Sequence, residues 1–473
     1  MTAAKILNLE TSLVGDFNFI TQILNSIKSL FFMKQKGISC LLFLFGLFTL
    51  NAQMNKIDFV EYDLDNGLHV ILHQDNSTPI VAVSIMYHVG SKNENPEKTG
   101  FAHFFEHLLF EGSENIPRGQ FDKYVQNAGG VLNANTSADR TFYFELLPSN
   151  QLELGLWLES ERLLHARVDE KGIETQREVV KEERRQRYEN SPYGSLYPES
   201  MARAFTKHPY RWTPIGSMAH LDAAEEADYK NFYKDFYVPN NAVLSIAGDL
   251  DIATTKMLID KYFSGIPKST KPIYRPDIVD DPIAGEIRDT IFDNIQLPGV
   301  IQSYRAPAQG TDDHYAVSML AQLLSKGQSS RLHRALVDEK QKAVQAGNFS
   351  VEGEDPGVNI ILAIANMGVD AEDLVIAIDE EIAKAQNELI SDKEFQKLKN
   401  QIENDFISAN GRIFGIAESL ANYYTFYGDT NLINTEIDRY LAVTKQDIQR
   451  VAREYFNKNS RVNLIYLPKQ AQP

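Results

Sequence analysis

The stretch from Phe236 to Ala247 has a counterpart near the C-terminus. Displaced by 219 positions, Asn240 falls on Asn459, Val243 on Val462 and Ile246 on Ile465. Each copy runs from a helical pattern through an aromatic pair, Phe236-Tyr237 or Tyr455-Phe456, and a turn into an apolar strand. Self-similarity of this kind predicts that the chain builds one architecture twice. Strands and helices are mixed in each half. The expected class is therefore α+β: two homologous sandwiches, each one sheet plus a helical layer. In the first half, Leu68, Val70 and Leu72 alternate, as do Val81, Val83 and Ile85. Asp65-Asn66-Gly67 reads as a hairpin turn, and Asp75-Asn76-Ser77 with Pro79 as the next turn. A strand is expected over Val131–Leu147, with long helices from Gln151 onward. Pro267, Pro272, Pro276 and Pro282, together with Asp277, Asp280 and Asp281, mark residues 265–287 as a linker. That places an N-terminal domain at 53–264 and a C-terminal homologue at 288–473.

Hydrophobic residues are 43% of the 473-residue chain and charged residues 23%, which supports sizeable cores and argues against general disorder. A net charge of −17 demotes nucleic-acid binding, which normally needs a basic surface. The single cysteine, Cys40, excludes an internal disulfide framework and any multi-cysteine zinc site. A metal in this chain has to be held by histidines and carboxylates. Residues Met33–Ala52 carry Lys34 and Lys36, then the apolar run Ile38–Phe48, then Leu50-Asn51-Ala52. That order is a signal peptide, and its apolar run is too short to span a bilayer. Residues 1–32 are then an upstream extension, 33–52 the signal peptide, and Gln53 the mature start. A cysteine-free, acidic, exported chain with no stable membrane span fits a bacterial periplasm, or secretion.

The chemistry concentrates in Gly100–Phe110. At ~100° per residue, Phe101, Phe104, Phe105, Leu108 and Leu109 share one stripe of a helix and form its buried face. His103, Glu106 and His107 fall on the opposite side. Imidazoles at i and i+4 lie one turn apart and can share one zinc. Glu106 sits beside that metal without ligating it, placed to take a proton from the attacking water. This is HxxEH, the reverse of the HExxH zinc helix. Zinc needs a third protein ligand. Glu183, in the charged helix Thr175–Arg185, follows Val180 by three and Val179 by four and so shares their side. A carboxylate on that stripe needs a partner, and a metal is a good one. Glu178 and Glu182 point elsewhere, toward ion pairs with Lys181, Arg184 and Arg185.

HFFEH followed by Glu183, 76 residues after His107, resembles the pitrilysin, insulinase and mitochondrial processing peptidase family. So do Gly129-Gly130-Val131-Leu132-Asn133-Ala134-Asn135-Thr136, His208-Pro209-Tyr210 with Pro214 and Gly216, Phe236–Ala242 with Gly248-Asp249, and Ser329-Ser330-Arg331-Leu332. The resemblance implies paired domains that form half of a clamshell around an unfolded peptide or protein substrate. It implies a zinc endopeptidase, with one zinc on His103, His107 and Glu183 and Glu106 as general base. It also implies that substrate adds as a strand at Asn133 and Ala134. A glutamate often stands seven residues before the third ligand in this family. Here that position is Gln176, expected to support the site by hydrogen bonding. The family's substrate-contacting Arg and Tyr, seven apart after SSRL, are replaced by Val337 and Val344. This departure implies a homologous partner subunit that supplies the pair; the rivals within the chain are Arg331 and Tyr304. The alternative function is a non-catalytic peptide-binding or scaffold subunit.

Overall fold

The computed structural model describes residues 56–469, which form one compact unit. The signal peptide, Cys40, Gln53 and residues 1–32 lie outside the described residues. The first sheet is built from β1 (Val60–Asp63), β2 (His69–Gln74), β3 (Ile80–Tyr87), β4 (Val131–Thr136), β5 (Thr141–Pro148) and β6 (Ala242–Gly248), in the order β1-β2-β6-β3-β5-β4. The second holds β7 (Ile287–Asp293), β8 (Gly299–Arg305), β9 (Ala343–Val351), β10 (Val358–Ala365) and β11 (Arg461–Pro468), in the order β7-β11-β8-β10-β9. β6 runs parallel to β2 and antiparallel to β3, just as β11 runs parallel to β7 and antiparallel to β8. The two sheets therefore share one connectivity, and β1 is an addition to the first. Val243 and Val462 both face a helix from the other half, whereas Ile246 and Ile465 both face their own half's helices. The 219-residue correspondence thus preserves the facing of side chains as well as the order of strands.

Asp65-Asn66-Gly67 closes the β1–β2 hairpin, with Gly67 at φ 83°. The single strand expected over Val131–Leu147 is instead the β4–β5 hairpin, turning through Ser137–Arg140. Ser137 Oγ accepts from the N–H groups of Asp139 and Arg140 at 3.1 Å each, so a serine turn does what a glycine turn would have signalled. Between Phe263 and Ile287 no regular element forms, yet the segment is tethered. The Asp280 carboxylate accepts from the backbone N–H groups of Thr206, Lys207 and His208, the last at 2.7 Å.

Both faces of each sheet are covered. One face of the first sheet packs on helices of its own half, including Phe101–Leu108, Leu152–Leu164 and Glu226–Phe236. Its other face, through Ile71, Ala82, Met86, Val243 and Ala247, receives Ile416, Ala417, Leu420 and Ala421 of the Ile413–Tyr427 helix. The second sheet receives Met201 and Ala204 of the Leu196–Ala204 helix on Ile301, Ile360 and Leu464. Each half thus lends a helix to the other's sheet. A buried charge cluster adds to this junction. Lys92 Nζ reaches Asp139 (3.0 Å) in the first half and Glu354 (2.5 Å) and Asp355 (3.1 Å) in the β9–β10 loop of the second. The Tyr210 hydroxyl of the His-Pro-Tyr segment donates to Asp139 at 2.7 Å and accepts from the Asp355 N–H at 3.1 Å.

Candidate metal centre

The Phe101–Leu108 helix buries Phe101, Phe104, Phe105 and Leu108, the stripe expected from its spacing. Their rings meet Tyr229, Phe232 and Tyr237. This turns the opposite face, with His103, Glu106 and His107, away from the core; His103 is nonetheless buried by its surroundings and the other two are half-buried.

Both ends of the helix are held by side chains from elsewhere. At the start, Gly100 has φ 101° and lies against Gly216, itself at φ 69°. A Cβ on Gly216 would stand 2.4 Å from the Gly100 nitrogen, so only glycine allows this approach. The Glu94 carboxylate accepts from the N–H groups of Gly100 (2.9 Å) and Ala102 (2.8 Å). Burial pushes its pKa up to about 8, against the pull of those two donors. At the other end, the fully buried Arg162 donates to the Leu109 carbonyl (3.0 Å). Glu159 (3.0 Å) and Glu145 (3.3 Å) hold it, and the rings of Phe110, Phe121 and Tyr143 surround its guanidinium at 4.2–4.7 Å. Burial, then the charge of Glu159, pushes the Glu145 carboxyl well above its ordinary range. The Tyr143 hydroxyl donates to the Phe105 carbonyl (2.9 Å). Arg162 had a sequence signal: with Gly155 and Glu159 it follows i, i+4, i+7 spacing on the buried face of its helix. Glu94 had none, because it reaches the helix from six residues upstream of Gly100, outside any capping-box spacing.

The third group arrives on the Glu170–Arg184 helix, whose N-terminus is capped by Asp169. Glu183 Oε2 lies 3.1 Å from His107 Nε2 and 3.4 Å from His103 Nε2. The candidate ligand atoms of the three residues all fall within 4.8 Å of one another. Among the described residues this is the group of His and carboxylates that could hold a metal. Ligand bonds of ~2.0–2.2 Å at tetrahedral angles need donors ~3.3–3.5 Å apart, so two imidazoles and one carboxylate oxygen fit zinc. Hydrogen bonds from His103 and then His107, outweighing partial burial, hold the Glu183 carboxyl far below its usual range, in the ionised form that a metal requires.

Glu178 pairs with Lys181 and Glu182 with Arg185, as read from the sequence; Arg184 instead donates to the Gly216 carbonyl. Val179 departs from that reading. It is 45% exposed, and Val180 alone carries the buried stripe toward Glu183. Gln176 makes no hydrogen bond to the three clustered residues. Its amide donates to Glu111 (2.6 Å), which also pairs with Arg118. Asn133 and Ala134 lie on β4, an edge of the first sheet, and the Ala134 N–H donates to the Asn133 side chain (2.9 Å). Val337 packs on the second core, and Val344 is half-exposed at the start of β9. The two rival donors are engaged elsewhere. Arg331 grips Glu394 through two nitrogens, and the buried Tyr304 bonds Gln302 and Arg461.

Residues 69–213 match the family model for insulinase (peptidase family M16), and residues 224–402 match the model for the peptidase M16 inactive domain. The zinc protease PqqE of Helicobacter pylori is 33% identical over 431 residues, covering 89% of this chain and 96% of that protein. The chain belongs to the M16, insulinase-like peptidase family. The crystal structure of a protease from Helicobacter pylori superposes with a TM-score of 0.83 at 32% identity, over 87% of this chain and all of that one. The periplasmic protease PqqL from Escherichia coli shares the fold at 20% identity with a TM-score of 0.70, this chain covering 48% of it. The inactive-domain match, residues 224–402, includes none of His103, His107 and Glu183, the His-carboxylate cluster found among the described residues.

Proposed function

We propose that the protein is a zinc endopeptidase acting on extended peptides, with His103, His107 and Glu183 holding one zinc. The observation that carries this reading is the convergence of His103 Nε2 and His107 Nε2 on Glu183 Oε2, with Glu106 on the same helix as the two histidines. Zinc would polarise the attacking water and the scissile carbonyl. Glu106 takes the water's proton and returns it to the leaving nitrogen as the C–N bond breaks. The edge position of β4 supports strand addition of substrate at Asn133 and Ala134, where backbone pairing fixes the peptide regardless of its sequence.

A valine cannot donate a hydrogen bond to a developing oxyanion, and losing such a donor costs ~10²–10³ in rate. With Arg331 and Tyr304 both engaged, a homologous partner subunit carrying the Arg and Tyr completes the site. We place the metal domain at 53–264 and its homologue at 288–473, joined by 265–287. Export to the periplasm, or secretion, follows from Met33–Ala52. No described helix is long and apolar enough to cross a membrane.

The test measures zinc content and cleavage of unstructured peptides, with and without the partner. Wild type should bind one zinc. His103→Ala should lose metal and activity, and Glu106→Gln should keep metal but lose ~10²–10⁴ in turnover. Equal turnover by wild type and Glu106→Gln removes the peptidase reading. Full activity of the isolated chain, unchanged by the partner, removes the two-subunit reading.

A further inference from the structure

The two oxygens of Glu183 have separate partners. Oε2 faces both imidazoles, at 3.1 and 3.4 Å. Oε1 lies 2.8 Å from Nη2 of Arg187, one turn further along. The chain widens from α- to π-helix at Arg185–Glu189, immediately beyond the metal-site segment, and such widened turns are frequent at functional sites. The neighbouring arginines are engaged elsewhere: Arg184 with the Gly216 carbonyl and Glu189, Arg185 with Glu182. Arg187 is 60% exposed, and an ion pair so exposed adds little to folding. Its consequence falls on the carboxylate it touches.

Resting on the zinc reading above, we propose that Arg187 is a positioning residue that holds Glu183 as a single-oxygen ligand. Arg187 occupies Oε1 and so leaves Oε2 alone to the metal. One-oxygen ligation keeps the protein ligands at three and leaves coordination positions for a water and the substrate carbonyl. With Oε1 released, the carboxylate could close on the metal through both oxygens and take one of those positions. The guanidinium suits this task because its charge is permanent and lies against Oε1 as an ion pair.

The test replaces zinc by cobalt(II), whose visible absorption falls as coordination rises from four to five. Wild type, Arg187→Ala, Arg187→Lys and the control Arg185→Ala are loaded with cobalt and compared, with melting measured alongside. Arg187→Ala should weaken the visible bands, and its turnover with partner present should fall ~10–100-fold, the usual loss when a ligand's supporting group is removed. Arg187→Lys should restore the bands, because an ammonium still reaches Oε1. Arg185→Ala should match wild type, and all four proteins should melt together. A wild-type cobalt spectrum in Arg187→Ala overturns the inference while leaving the metal site intact. Failure of wild type to bind cobalt or zinc removes the zinc reading itself, and the role of Arg187 with it.

Discussion

Arg162 shows how a residue remote from the chemistry decides its geometry. It is fully buried, sits between two glutamates and three aromatic rings, and ends on the carbonyl of Leu109, just beyond His107. Breaking a buried ion pair from one side leaves the other charge uncompensated and costs ~3–5 kcal/mol. Arg162→Met should therefore lower the unfolding free energy obtained from a urea titration by an amount in that range, and also reduce zinc content at a fixed chelator concentration. Arg162→Lys should fall between the two, since a lysine keeps the charge but loses the fork that spans Glu159, Glu145 and Leu109. A variant as stable as wild type would mean that the aromatic cage, rather than the charge, carries the site. The clustering of His103 and His107 was legible from their i, i+4 spacing on one helix, and that of Glu183 from its place three residues after the buried Val180 on another. Arg187 had a spacing signal, i+4 from Glu183, hidden among the other charges of that segment; Glu94 had none, because the loop after it folds back to bring its carboxylate onto the helix start.

At the level of elements, one intolerant contact is the meeting of two glycines, Gly100 at the start of the helix that carries His103 and His107, and Gly216 in the loop after His208-Pro209-Tyr210. Gly216→Ala adds a methyl group 2.4 Å from backbone and forces a side chain into positive φ, each sufficient to cost ~1–3 kcal/mol. A lower melting temperature together with weaker zinc retention is expected; an unchanged melt would show that the loop moves freely away from the helix. The alternating strands were readable, but one sheet plus one helical layer per half left their second face without a partner. Between Val81, Val83 and Ile85 stand Ala82 and Ser84, and β6 carries Ser245 and Ala247 between its larger residues. Small residues, unlike charged ones, admit a helix at close range, and Ala417 and Ala421 meet them from the other side. Nothing local says which helix arrives, so the covering of each sheet by the opposite half lay beyond sequence periodicity.

Across the whole molecule, the junction of the halves depends on ionisation. Burial raises the Glu354 carboxyl, but bonds from His88 and Lys92 outweigh it and hold the group at about 2. The folded value lies below the unfolded one, so the stabilisation is present above the ordinary carboxyl range and fades as pH falls toward 2. Discounted for partial exposure, it amounts to about 2 kcal/mol at neutral pH. Glu354→Gln should lose about that much at pH 7, and the gap from wild type should narrow at pH 3; a gap independent of pH would assign the effect to packing. The exchanged helices have a different consequence, for the order of events as the chain emerges. The outer face of the first sheet waits for residues 413–427, so Ile71, Met86 and Val243 stay open until most of the chain has been made. Contacts this distant in sequence close slowly. The first half therefore cannot settle into a finished domain while the second is still being synthesised.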